Sequence, residues 1–159
     1  MAAPPRSPKT NLKGTTMTDA EYTPEQALAD GFFVVQPMTR NQAVQHGLWV
    51  EPSQSLSREA GFRVPVALTR AAWEDCVAWS DTDDQKQNTV QDETGRLWDV
   101  LIMSRLAIAR SRSTRAHVTL HRVPRDGRSQ EPQLVCLIAD LGLGDKGEPV
   151  VTIMLPTED

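Results

Sequence analysis

The chain has 159 residues, 39% of them apolar, and carries a net charge of −4 with two cysteines. A length of this order makes one domain with a real hydrophobic core, needing no disulfide or metal to hold it. No apolar run approaches the length of a membrane span, so no membrane partner is expected, and the two unpaired-looking cysteines fit a reducing cytoplasm.

Residues 1–22 read as a disordered tail. Met1–Thr16 hold three prolines and three basic residues with no aromatic, too little apolar surface to offset the entropy of ordering. Met17 is a second candidate start, with the preceding residues an extension upstream of it. Residues 23–159 are expected to form a single α+β domain.

An internal echo opens that domain. Thr23–Val34 (TPEQALADGFFV) aligns with Thr39–Val50 (TRNQAVQHGLWV), sharing Thr, Gln, Ala, Gly and Val at matching places. Each copy has T-x-x-Q, a capping box, then Gly where a helix stops in the left-handed region, then a short apolar strand. Two helix–Gly–strand units follow. They are either a duplication building a two-fold binding surface or one local grammar used twice.

Phe62, Val64, Val66 and Leu68 alternate with Arg63, Pro65 and Ala67, the pattern of a half-buried strand. Pro65 cannot donate to a ladder, which places that strand at a sheet edge. Thr69 then caps a helix running to about Trp79, with Trp73, Cys76 and Val77 as its apolar stripe. Ser80–Gly95 reads as a polar loop. Leu97–Ala109 is apolar nearly all round, which predicts a helix buried on most sides.

The C-terminal third predicts a β-meander. Val118 and Leu120 face the core while His117, Thr119 and His121 face away; PRDGRSQEP turns at its Asp-Gly; Leu134–Ile138 is a central strand; GLGDKGEP turns again before Val150–Leu155. The fold class is α+β, with short helix–strand units and two tryptophan-bearing helices packed on a C-terminal antiparallel meander. Trp73 and Trp98 are expected to be largely buried, and Trp49 and Trp79, near element ends, to offer exposed aromatic contacts. Cys76 and Cys136 both read as small buried hydrophobes.

No catalytic set emerges. His117 and His121 are four apart, but on a strand that spans roughly 13 Å, too far for one ion; no metal and no cofactor are expected. His46 lies at a helix C-terminus, where an imidazolium suits the dipole. Asp81, Asp83, Gln85 and Asp92 occupy calcium-loop places, yet Lys86 stands where glycine makes the turn, so a solvated loop is preferred. No nucleophile elbow or phosphate-cradling P-loop is present. Charge is the asymmetric property. From Arg96 to Arg128 eight arginines face Asp99 and Asp126, within an otherwise acidic chain. Arg110, Arg112, Arg115, Arg125 and Arg128 are therefore candidates for anion or nucleic-acid contact, against the plainer reading that they pair with acids of their own domain. Asp81, Asp83, Asp84, Asp92 and Glu93 form a candidate acidic partner surface.

TRNQAVQHGLWV, GFRVPVALTRAAWEDCVAW, GRLWDVL, HRVPRDGR and GEPVVTIMLPTED together resemble a family of small uncharacterised bacterial domains carried on plasmids and other mobile elements, over about residues 39–159. The resemblance transfers no catalytic residue. It implies a cytoplasmic accessory protein of a mobile element, a setting that includes inhibitors of host nucleic-acid defence such as anti-CRISPR proteins. The leading expectation is thus a non-catalytic protein that binds a protein or nucleoprotein partner. The alternatives are a nucleic-acid-binding protein using the arginines of residues 105–128, and an enzyme of unknown reaction with His121, Arg122, Asp126 and Arg128 near one turn; a homo-oligomer is compatible with each.

Overall fold

The structure, a computed structural model, describes residues 37–158. The tail, Met17 and the first copy of the echo lie outside these residues. In chain order the elements are α1 (Arg40–Gln45), β1 (Trp49–Val50), α2 (Gln54–Glu59), β2 (Val66–Thr69), α3 (Arg70–Cys76), α4 (Asp81–Gln87), α5 (Glu93–Arg110), β3 (Arg115–Arg122), β4 (Gln133–Leu143) and β5 (Pro149–Met154), then a 3₁₀ turn at Pro156–Glu158. The class is α+β. The strands form one mixed sheet in the order β1-β2-β5-β4-β3. β3, β4 and β5 make the antiparallel meander, β2 lies parallel to β5, and β1 closes the far side antiparallel to β2.

The second copy of the echo forms the expected unit. Thr39 Oγ1 accepts from Gln42 N at 3.1 Å while Gln42 Oε1 accepts from Thr39 N at 3.0 Å, a reciprocal capping box. Gly47 stops the helix at φ 71°, a conformation a side chain would strain, and β1 follows.

β2 corrects one expectation. It is internal, flanked by β1 and β5, although Pro65 argues for an edge. The strand begins at Val66, so the missing N–H falls just outside the ladder, and the Pro65 carbonyl still accepts from Val151 N at 2.9 Å. Val66, Ala67, Leu68 and Thr69 are all buried. Thr69 ends the strand and caps α3, accepting from Ala72 N at 3.2 Å.

Two further expectations change between Val77 and Gly95. α3 ends at Cys76 rather than near Trp79, and the predicted polar loop contains α4. Asp83 Oδ2 accepts from both Ser80 N (2.9 Å) and Ser80 Oγ (2.8 Å), anchoring the start of α4. Asp81, Asp83 and Asp84 crowd the first turn and Lys86 the last, each charge at the favourable end of the dipole. Asn88, left-handed at φ 48°, ends the helix.

α3 and α5 pack on one face of the sheet. Leu68, Leu101, Leu137 and Ile153 are fully buried between them, with Val77, Val100, Val118 and Val151 beside them. α5 is longer than the apolar run suggests, because Asp92 caps it through Gly95 N at 2.9 Å. It is also covered on fewer sides: Leu97, Val100, Leu101 and Ser104 face the core, whereas Met103 and Leu106 are 37% and 43% exposed. Trp73 and Trp98 are partly buried against the core. Cys76 is buried as expected, but Cys136 is exposed. On β4, Val135 and Leu137 face the helices while Leu134 and Cys136 take the opposite face, so an unbroken apolar run does not make both faces core. No helix among the described residues is long and apolar enough to cross a membrane.

Candidate functional site: a braced acidic tip

The chain between α3 and α5 turns back over the end of β3, and one arginine holds the junction. Arg96, on the first turns of α5, is 4% exposed. Its Nε donates to Val77 O at 3.1 Å and its Nη1 to Val123 O at 3.0 Å, which ties the end of α3 to the exit of β3. Its guanidinium also lies 4.7 Å from the centre of the Trp79 ring. Burial lowers the Arg96 pKa from its usual value. Trp79 is therefore buried rather than exposed, the reverse of its expected placement. It is held by Arg96 on its ring and by Asp84 Oδ1, which accepts from its indole Nε1 at 2.7 Å.

The β3–β4 turn is fastened to the same place. Arg125 Nη2 lies 3.1 Å from Asp83 Oδ2, and Arg125 Nη1 donates to Glu74 Oε2 at 2.9 Å. Asp83 is 4% exposed. Burial alone would favour its neutral form, but the Arg125 and Ser80 hydrogen bonds outweigh that and hold the carboxyl below the ordinary range. Arg122 Nη2 donates to Asp75 Oδ1 at 2.9 Å. The Gln87 side chain bridges Gly127 N and Ser129 O. Burial also pushes the Cys76 thiol up to about 12, the behaviour of an inert core thiol.

On this base stands the turn from Asn88 to Asp92. Asp84 Oδ1, which already holds Trp79, also accepts from Gln91 N at 3.2 Å, and Asp92 begins α5. The turn is fixed at both ends, and Val90 at its tip is 79% exposed. Asp92 and Glu93 follow it in the chain and Asp81 begins α4; all three are exposed, and Glu93 Oε2 accepts from Trp79 N at 3.4 Å.

The candidate residues thus separate. Of the acidic set, Asp81, Asp92 and Glu93 remain on the surface, Asp84 is partly buried and bonded, and Asp83 is withdrawn into the interior. Of the arginines, Arg125 is committed to Asp83 and Glu74, and Arg115 lies 3.5 Å from Asp140. Arg110, Arg112 and Arg128 are exposed, Arg110 and Arg112 at the end of α5 and Arg128 in the distant β3–β4 turn. The length of β3 separates Arg110 and Arg112 from the turn that holds Arg125 and Arg128. Trp49 is half-buried beneath Arg40, 5.5 Å from its ring centre. His117 and His121 share the open sheet face. Among the described residues no group of three or more His, Cys, Asp or Glu is placed to hold a metal. His121, Arg122 and Arg96 do line one cavity of about 210 Å³, together with Cys76, but Arg122 there is neutralised by Asp75. A larger open cleft, about 540 Å³, lies between Glu51 and Val66 and is lined by none of the residues named as candidates.

Arg96, Gln87 and Val90 were not singled out from the sequence. For Arg96 a signal existed: an arginine one turn inside an apolar helix start, opposite tryptophan. Gln87 and Val90 carried none, because their roles depend on a helix that reads as loop.

No curated protein and no solved structure matches the chain. A family model does match, and it starts at residue 29, earlier than the resemblance drawn from residue 39 onward, so it takes in part of the first copy of the echo. The chain belongs to DUF6573, a family of unknown function, over residues 29–159.

Proposed function

We propose that this is a non-catalytic binding protein that acts on another protein through the braced acidic tip. In its specific form it is a cytoplasmic accessory factor of a mobile element that inhibits a host nucleic-acid defence system. The observation that carries the reading is Val90, 79% exposed on a turn fixed by Asp84 and Asp92, with the exposed acids Asp92 and Glu93 next in the chain and Asp81 at the start of the preceding helix. An apolar tip on a rigid turn loses little conformational entropy on docking, and its carboxylates suit a basic recess such as a nucleic-acid channel. The nucleic-acid reading is supported less, because Arg115 and Arg125 are spent on acids of the domain itself.

Val90→Arg combined with Asp81→Lys reverses the tip at two exposed positions. Affinity capture from host lysate with quantitative mass spectrometry is expected to recover a partner with the native chain and lose it with the variant, whose circular dichroism spectrum should stay that of the folded chain. Equal recovery by both chains would refute the tip as the binding surface.

A further inference from the structure

We infer that two copies of this chain join through β3 and α5, extending the sheet across a two-fold axis; the inference is independent of the acidic tip. Among the described residues β3 is a terminal strand of the sheet. Thr114 O accepts from Leu141 N at 2.7 Å, which with the register of Arg115 on Asp140 sets the even-numbered residues of β3 toward β4. The backbone N–H and C=O groups of the odd-numbered residues therefore point to the open edge. Those of Arg115 are taken up locally, its N–H by Ser113 Oγ at 3.2 Å and its carbonyl by Ser111 Oγ at 3.2 Å. His117, Thr119 and His121 remain, a ready template for another strand without a proline or bulge to block it.

The helix above this edge has a matching stripe. Asp99, Met103, Leu106 and Arg110 recur at the spacing of one helix face, and all are exposed. The stripe is self-complementary when reversed: in an antiparallel pair of α5 helices, Asp99 meets Arg110 of the second copy, and Met103 meets Leu106. The two elements also agree on where the axis lies. Two shallow grooves separate α5 from β3, one toward Arg110 and Arg115, the other toward Trp98 and His121, and Met103 and Thr119 line both. An axis through Thr119 pairs His117 with His121 of the second copy and places the midpoint of the helix stripe overhead. A foreign strand would satisfy the edge alone. Only a second copy satisfies the edge, the exposed Met103 and Leu106, and the opposed charges of Asp99 and Arg110 together.

Sedimentation velocity of the full chain over a dilution series from submillimolar to micromolar should show a monomer–dimer equilibrium. Leu106→Asp and Asp99→Arg should each weaken it by about tenfold or more, and Asp99→Arg with Arg110→Asp should restore it, since the charge pair is only exchanged. Hydrogen exchange should show His117, Thr119 and His121 amides protected at high concentration and exposed on dilution. A chain that stays monomeric throughout, or a dimer indifferent to these substitutions, would overturn the inference.

Discussion

Replacing Arg96 with Met tests the claim that one side chain pins three elements. Methionine keeps much of the aliphatic stem in place, so the loss is confined to the guanidinium. The Val77 and Val123 carbonyls then lose donors at 3.1 and 3.0 Å, and the Trp79 ring loses the cation 4.7 Å from its centre. A hydrogen bond to a charged group contributes about 1.5–3 kcal/mol, so the two bonds together give about 3–6 kcal/mol. Against this, removing a buried charge with no carboxylate hydrogen-bonded to it recovers about 1–2 kcal/mol of desolvation. The expected net destabilisation is about 1–5 kcal/mol, a large part of the total for a domain of this size. Urea unfolding followed by tryptophan fluorescence should show a lower midpoint with an unchanged slope. Arg96→Lys should recover little, because a single ammonium on a flexible stem cannot reproduce the fork that reaches both carbonyls. A loss below about 1 kcal/mol for Arg96→Met would refute the pinning argument.

The other expectations concern titration and thiol chemistry. The depressed Asp83 carboxyl contributes stability that is fully present above the ordinary carboxylate range and is lost as pH falls through its lower folded value. Urea midpoints measured from neutral to acid pH should therefore fall more steeply for the native chain than for Asp83→Asn, and parallel curves would sink the assignment. One thiol, Cys136, should react with an aromatic disulfide reagent at the rate of a free thiol, whereas Cys76, buried and pushed up to about 12, should react only on unfolding. Two equally fast thiols would contradict the placement of α3.

What the sequence disclosed was local grammar. Thr39 with Gln42, Thr69 before α3, and the alternation of Val118 and Leu120 with His117, Thr119 and His121 all took the conformations their patterns dictate. The misreadings share a cause. For Pro65, Trp79, Cys136 and the segment holding α4 the sequence speaks only of immediate neighbours, whereas their placement is decided by partners distant in the chain. Val151 meets the Pro65 carbonyl, Arg96 covers Trp79, Arg125 reaches Asp83, and the helices choose one face of β4. The candidate site was legible only as a tally of acids. Which of them remain available is set by those long-range pairings: Asp83 is consumed by Arg125, while Asp81 and Glu93 keep their exposure.

The position of β5 carries a consequence for how the molecule is assembled. It is the last strand in chain order, yet it lies between β2 and β4. Until it inserts, β1–β2 and β3–β4 are separate ribbons with no shared ladder, each too small to stand alone. On the ribosome, helices and hairpins made earlier must wait with their apolar faces uncovered until this strand emerges. The parallel contact of Val66 with Val151 then closes a loop spanning more than half of the chain. The fold is therefore completed from its C-terminal end, in a late cooperative step, and the interval before that step is when the chain is most open to aggregation or to proteases.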